Sequence, residues 1–128
     1  MKALIVDDSM VTRNIIKKFI KAMGYDALEA GNGKLALELL EKQAHEVELI
    51  LLDWNMPVLN GYETLKRVRE NKAYEHICVI MISTESEDDT IDQALAAGAS
   101  GYLAKPFTEE DFTEKIRTTL GSFRSGKP

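Results

Sequence analysis

Short apolar runs alternate with longer segments of helical periodicity along the whole chain. Runs of this length are typical of buried strands, and strands that alternate with helices indicate βαβ units and a parallel sheet. The predicted strands are residues 2–7, 26–30, 49–53, 79–83 and 101–104. The predicted helices are residues 9–23, 33–42, 61–72, 88–97 and 109–120. The pattern therefore predicts an α/β fold with a five-stranded parallel sheet. The second strand is partly polar, which favours a place at the sheet edge.

The composition limits the classes of protein to which the chain can belong. Its 128 residues are 45% hydrophobic, enough for one domain with a proper core, and we expect a domain over residues 1–120 and a flexible tail over 121–128. The net charge of −5 argues against direct nucleic-acid binding. The sequence contains neither a membrane-length apolar segment nor a signal peptide, so we expect a cytoplasmic protein without membrane insertion. The single cysteine, Cys78, excludes an internal disulfide and is expected in the core.

Carboxylates follow two of the predicted strands. Asp7 and Asp8 come after the first strand, and Asp53 ends the third. Because the carboxyl ends of parallel strands line one edge of a sheet, these side chains are expected to share a crevice. Their mutual repulsion would raise at least one pKa, and a hard cation such as Mg²⁺ would relieve it. Capping of the first helix is an alternative role, since Asp8 and Ser9 are both good N-cap residues.

A hydroxyl and an ammonium group follow the last two predicted strands. Ser83 ends the fourth strand and Lys105 follows the fifth, so both are expected at the same crevice. An aspartate can act as a nucleophile towards phosphoryl groups, and we assign that role to Asp53. Lys105 is expected to pair with Asp53 at rest and with a phosphoryl oxygen later. The peptide bond from Lys105 to Pro106 is of the X–Pro type, at which a cis conformation is accessible.

These motifs together resemble the receiver domains of two-component response regulators, most of all the stand-alone chemotaxis type. The resemblance covers residues 2–120. Each motif is modest alone, but their order and spacing are highly specific. The matching segments are Val6-Asp7-Asp8, Leu52-Asp53-Trp54-Asn55-Met56-Pro57, Asn60-Gly61, Ser83-Thr84-Glu85 and the run from Gly98 to Phe107.

The resemblance implies a flavodoxin-like, doubly wound fold with strand order 2-1-3-4-5 and helices on both faces. It also implies that Asp53 is phosphorylated from a phosphohistidine on a histidine kinase or a histidine phosphotransfer domain. Asp8, Asp53 and the backbone carbonyl of Asn55 would bind Mg²⁺, and Asp7 would hold a metal-bound water. The chain would thus catalyse only its own phosphorylation and its slow reversal, without turnover of an external substrate.

The resemblance further implies a conformational switch that alters binding to an output protein. Ser83 and Lys105 would contact the phosphoryl oxygens, and Tyr102 would swing inward as the Ser83 hydroxyl is drawn to the phosphate. The first helix would dock the phosphodonor, with candidate contacts at Arg13, Lys17 and Lys18. Ser83 stands where the family most often has threonine, so its rotamer is less constrained and coupling to Tyr102 is expected to be looser. Thr84 is bulkier than the usual residue at its position.

Other interpretations remain open from the sequence. The chain could be a receiver excised from a multidomain regulator or hybrid kinase, with residues 121–128 as the start of a linker. A small aspartyl-phosphate phosphatase of the haloacid dehalogenase type is less favoured, because such enzymes have Asp-x-Asp and Asp53 is followed by Trp54-Asn55. A flavin mononucleotide carrier would need a phosphate-binding loop after the first strand, where Asp7 and Asp8 would repel a phosphate.

Overall fold

A parallel five-stranded sheet forms the centre of the computed structural model, which describes residues 1–84 and 88–125. The strands are β1 (Lys2–Val6), β2 (Asp26–Ala30), β3 (Val47–Asp53), β4 (Cys78–Ser83) and β5 (Gly101–Ala104). The helices are α1 (Met10–Ala22), α2 (Gly33–Gln43), α3 (Gly61–Glu70), α4 (Asp88–Ala96) and α5 (Glu109–Arg124). Two 3₁₀ turns lie at Ala44–Glu46 and Lys72–Tyr74. The strand order is β2-β1-β3-β4-β5, which confirms the predicted fold.

The sheet is covered on both faces because successive residues of its strands point to opposite sides. One core contains alternate residues of the inner strands together with α1 and α5; its members include Ile5, Leu51, Ile80, Ile16 and Phe112. The other contains the intervening residues together with α2, α3 and α4; its members include Leu4, Ile50, Met81, Leu65 and Ala94. The nearly continuous apolar sequences of β1, β3 and β4 follow from this double burial.

The sheet edges and the helices agree with the amphipathic patterns in the sequence. β2 lies at one edge, and only Ala30 of its residues is fully buried. Cys78 is buried at the start of β4, as expected of a small core residue. Among the described residues, none of the helices combines the length and the apolarity that crossing a bilayer would require.

The C-terminal boundary differs from the prediction. Residues 121–124, which the sequence places in a flexible tail, continue helix α5 to Arg124. Phe123 packs against the core beneath α1 and α5, and Arg124 donates a 2.6 Å hydrogen bond to Glu48 at the start of β3. These tertiary contacts offset the low helix propensity of Gly121, which costs about 1 kcal/mol relative to alanine. Residues 126–128 of the predicted tail lie outside the described residues.

Candidate functional site

The polar side chains predicted at the strand ends meet at one edge of the sheet. Asp7 directly follows β1, Asp53 ends β3 and Ser83 ends β4. The register places Asp53 beside Ile82 and Ser83 beside Ala104, so the ends of β3, β4 and β5 are level. The backbone amide of Lys105 donates to the Ser83 carbonyl at 2.8 Å and extends the pairing by one residue. Parallel pairing therefore brings together groups that lie far apart in the sequence.

Three carboxylates form the centre of this edge. Asp7, Asp8 and Asp53 each offer an oxygen, and these oxygens all lie within 4.8 Å of one another. Asp7 is 2% exposed and Asp53 is 8% exposed, whereas Asp8 is open to solvent. The crevice therefore has two buried acids at its base and one exposed acid at its rim.

Lys105 bridges the two buried acids. Its Nζ lies 3.0 Å from Asp7 Oδ2 and 3.6 Å from Asp53 Oδ1. The sequence predicted pairing with Asp53 at rest, and the structure adds a shorter hydrogen bond to Asp7. The Lys105–Pro106 peptide bond is cis. One ammonium group thus neutralises part of the charge of two carboxylates, and Asp53 receives the longer contact.

The pKa of Asp53 reflects this incomplete compensation. The pKa is raised from 3.8 to about 6, mainly by burial and next by the Asp7 carboxylate. The Lys105 ammonium lowers this pKa, as does the backbone hydrogen bond from Asn55. The carboxylate is thus ionised at neutral pH but is held at a cost in free energy. An arriving cation or a change of charge at Asp53 would relieve that cost.

The backbone and side chain of Asp7 are held by four hydrogen bonds. Its amide donates to the Ala30 carbonyl at 3.1 Å, and its Oδ1 accepts the Ser9 amide at 2.8 Å. Its Oδ2 accepts Lys105, and its carbonyl oxygen accepts Arg13 Nη1 at 2.6 Å. Asp7 is therefore fixed by β2, by the start of helix α1 and by Lys105 after β5.

Ser9, rather than Asp8, caps helix α1. The Ser9 hydroxyl accepts the Thr12 amide at 3.2 Å, which satisfies one of the unpaired donors at the helix start. This contact decides between the two capping residues that the sequence left open. Asp8 stays exposed at the rim of the crevice.

The segment after Asp53 turns sharply into helix α3. The Gly61 amide donates to the Trp54 carbonyl at 2.9 Å, and the Asn60 side chain caps α3 through the Glu63 amide. A Cβ at Gly61 would collide with the Asp53 carbonyl, so only glycine permits this approach. Val58 has a φ of 70°, which is unusual for a β-branched residue, and its side chain is exposed. This tight turn keeps Asn55 beside the Asp53 carboxylate.

The two residues assigned to a switch are both buried. Ser83 is fully buried at the end of β4, beside the exposed Thr84. Tyr102 is 9% exposed and belongs to the core formed with α2, α3 and α4. Both side chains therefore lie within the protein rather than in solvent. Glu85, the last residue of the Ser83-Thr84-Glu85 motif, lies outside the described residues.

Arg13 is the site residue whose position sequence reasoning missed. The sequence placed it with Lys17 and Lys18 on a docking face, but its side chain is only 16% exposed and contacts the Asp7 carbonyl and Glu29. Lys17 also contacts Glu29, at 3.1 Å. No motif reveals this contact because it joins an arginine side chain to a backbone carbonyl across the turn into α1. Of the three basic residues, Lys18 is the one that is exposed.

The donor set fits Mg²⁺. Hard divalent cations prefer oxygen ligands, and Mg²⁺ typically takes one or two carboxylates together with waters and phosphate oxygens. The site offers three carboxylates within reach of one another, and burial together with the neighbouring acids disfavours the ionised form of Asp53. Both the ligand type and the excess negative charge are those that a small divalent cation would stabilise.

Comparison with known proteins identifies the family. Residues 3–117 match the family described as the response regulator receiver domain. The chain belongs to this family. The receiver is 43% identical over 123 residues to a chemotaxis protein CheY homolog of Campylobacter jejuni, covering 95% of this chain and 94% of that protein. It is 42% identical over 123 residues to chemotaxis protein CheY1 of Helicobacter pylori, covering 95% and 98% of the two chains.

The receiver also resembles solved structures of the same type. Chemotaxis protein CheY4 of Vibrio cholerae is 33% identical, has a TM-score of 0.86, and the match covers 93% of this chain and 98% of that one. The chain is thus a receiver domain of the CheY type of response regulator in two-component signalling. Receiver domains generally bind Mg²⁺ at an acidic pocket, and this receiver has such a cluster at the predicted position.

Proposed function

We propose that this receiver is a phosphorylation-dependent switch whose phosphoryl acceptor is Asp53. The observation that carries the proposal is the position of that carboxylate at the end of β3, 8% exposed and 3.6 Å from Lys105. Its pKa of about 6 leaves it ionised at neutral pH, as a nucleophile must be. Buried carboxylates are usually paired with an opposite charge. Asp53 instead lies near two other carboxylates and shares a single ammonium group with Asp7.

The transfer itself is a displacement at phosphorus. A carboxylate oxygen of Asp53 forms the new O–P bond while the P–N bond to the donor histidine breaks and its electron pair returns to the imidazole. Lys105 lies where its ammonium can contact both Asp53 and an incoming phosphoryl oxygen. Ser83 ends the neighbouring strand and supplies a hydroxyl to another oxygen. The donor is a histidine kinase or a histidine phosphotransfer domain.

Asp8, Asp53 and the Asn55 carbonyl would hold Mg²⁺, and Asp7 would orient a water at that site. When bound, it neutralises negative charge at the phosphoryl group. Asp7 itself is immobilised by its four hydrogen bonds, which keep its carboxylate at the base of the crevice. Lys105 limits repulsion between the two buried acids before the phosphoryl group arrives.

Signalling follows from a shift between two conformations of the β4–β5 edge. Ser83 and Tyr102 lie on adjacent strands that pair in register, so movement of the hydroxyl towards a phosphoryl oxygen alters the space beside the tyrosine. The shift is limited by how much better one conformation holds the phosphoryl group. The output is altered binding to a partner protein in the cytoplasm. The chain processes no external substrate and only gains and loses its own phosphoryl group.

The test is intact mass after incubation with acetyl phosphate, with MgCl₂ or with EDTA. We expect one phosphoryl adduct that requires Mg²⁺ and is absent from Asp53→Asn. Asp26→Asn is the matched control, since it removes an exposed carboxylate at the opposite end of a strand. An adduct of normal stoichiometry on Asp53→Asn would show that the acceptor is assigned wrongly.

Helix α1 offers the surface on which the phosphodonor docks. It begins two residues after Asp8, and its outer face exposes Met10, Val11 and Ile15 beside Lys18. Residues 11, 15 and 18 have helical spacing and form one stripe. Arg13 and Lys17 are engaged with Glu29, so the apolar side chains rather than these two cations form the centre of the surface.

Two leucine-sized side chains of equal exposure test this surface. Ile15 on α1 is 45% exposed and Leu35 on α2 is 46% exposed. Ile15→Glu is expected to slow transfer from a phosphorylated histidine phosphotransfer domain at least tenfold and to leave labelling by acetyl phosphate unchanged. Leu35→Glu should change neither rate. Equal slowing by both variants would place the donor elsewhere.

A further inference from the structure

We propose that Arg13 is a positioning residue for the metal site, acting through the peptide that joins Asp7 to Asp8. This inference rests on the proposed function, because the metal is the one assigned there. Arg13 Nη1 donates a 2.6 Å hydrogen bond to the Asp7 carbonyl oxygen, which belongs to that peptide. Asp8 is exposed, so its carboxylate is placed chiefly by the backbone that carries it.

The geometry of the guanidinium indicates which of its contacts dominates. Arg13 Nε lies 3.4 Å from Glu29 Oε1, yet it is buried and makes no hydrogen bond. An unsatisfied buried donor costs free energy, so a side chain serving only the ion pair with Glu29 would be expected to turn and complete that bond. The short contact to the Asp7 carbonyl holds the guanidinium away from that geometry.

Glu29 anchors the arrangement from the edge strand β2. Its two oxygens contact Arg13 and Lys17, at 3.4 Å and 3.1 Å. The two basic residues thus share one carboxylate and one helix, but only Arg13 reaches the Asp7 carbonyl. Lys17 is therefore a matched control for the loss of a positive charge and of a contact with Glu29.

The direction in which Mg²⁺ affinity changes when Arg13 is removed distinguishes a positioning role from a purely electrostatic one. Removing a positive charge near three carboxylates strengthens their attraction for a divalent cation. Removing a group that orients the ligands weakens it, by about tenfold or more for partners that hold metal ligands. The two explanations therefore predict opposite changes in the dissociation constant for Mg²⁺.

The experiment is a titration of Arg13→Met, Lys17→Met and the wild-type protein with MgCl₂, followed by the fluorescence of Trp54, the single tryptophan. We expect Arg13→Met to bind Mg²⁺ about tenfold more weakly than wild type. Lys17→Met should bind equally well or up to about twofold more tightly, as a pure charge effect requires. Affinity in Arg13→Met that equals or exceeds that of Lys17→Met would overturn the proposal.

Two further measurements complete the test. In metal-free protein, the carbonyl ¹³C resonance of Asp7 should shift in Arg13→Met and stay in place in Lys17→Met; an unmoved resonance in both contradicts the contact. Where Arg13→Met folds poorly, Arg13→Lys keeps the charge but cannot serve both partners at once, and about a threefold loss of affinity is expected. No loss would refute the role. Absence of Mg²⁺ binding by the wild-type protein would instead reject the metal site of the proposed function.

Discussion

At the carboxyl edge of the sheet two buried carboxylates share one ammonium group beside a third, exposed carboxylate, whereas at the amino edge a half-buried arginine donates hydrogen bonds to neutral groups. Arg69 donates from Nε to the Gly98 carbonyl at 2.8 Å and from Nη2 to the Ser100 hydroxyl at 3.3 Å. Burial lowers the pKa of Arg69, as it raises that of Asp53. Arg69 offsets its desolvation through hydrogen bonds, while Asp53 meets mainly like charge.

The two edges of the sheet therefore differ in role: the amino edge contributes to stability, and the carboxyl edge has the properties of a functional site. Arg69 joins the end of α3 to the segments before β5, and its guanidinium donates to the Gly98 carbonyl and to the Ser100 hydroxyl, which also accepts the Val79 amide. The carboxyl edge keeps an excess of negative charge, which a bound cation or a covalent change at Asp53 would compensate. Perturbed ionisable groups of this kind are typical of functional sites.

The largest expected effect is stabilisation by Asp53→Asn in the absence of metal. Since folding raises the pKa of Asp53 from 3.8 to about 6, the wild type loses stability as pH rises between these values. At pH 7.5 the variant should be more stable by about 2–3 kcal/mol. The measurement is urea unfolding in EDTA from pH 4 to pH 8. A difference that does not grow with pH, or a less stable variant, would remove the contrast between the two edges.

The second effect is destabilisation at the amino edge. Arg69→Met should lower the free energy of unfolding by about 2 kcal/mol, because the Gly98 carbonyl and the Ser100 hydroxyl lose a charged donor. Arg67→Met, at an exposed position of the same helix, should lie within about 0.5 kcal/mol of wild type. Urea unfolding measures both. Mg²⁺ affinity should stay within about twofold, and a larger change would show that the two edges are coupled.

The smallest effect concerns the end of α5. Arg124 pairs with Glu48 at 2.6 Å, but the arginine side chain is 59% exposed. Solvent screens such a pair, so Arg124→Met should cost about 0.5 kcal/mol of unfolding free energy. Burial and the Glu48 hydrogen bond raise the pKa of Tyr25 to about 12, which places the tyrosine in the same cluster. A loss above 2 kcal/mol would show that the last turn of α5 contributes more than its exposure indicates.

Several elements could be predicted closely because the signal was local. The bounds of β2 and β5 agree with the prediction, and α5 begins at a capping box formed by Thr108 and Asp111, which is a local signal of the same kind. The prediction of a flexible tail from residue 121 was wrong, since α5 continues to Arg124. The low helix propensity of Gly121 is visible in the sequence, whereas the contacts of Phe123 and Arg124 that extend the helix are tertiary. Arg13 was misplaced for the same reason.

The sequence by itself determined which groups could meet. Apolar runs that end in Asp7, Asp53, Ser83 and Lys105 specify parallel strands with these residues at their carboxyl ends, and parallel pairing brings such ends to one edge. Only the tertiary structure decided how the groups are shared. Lys105 lies closer to Asp7 than to Asp53, Ser9 rather than Asp8 caps α1, and burial raises the pKa of Asp53. These outcomes depend on differences of a few tenths of an ångström in the distances between residues as far as 98 positions apart, and no local pattern encodes such differences.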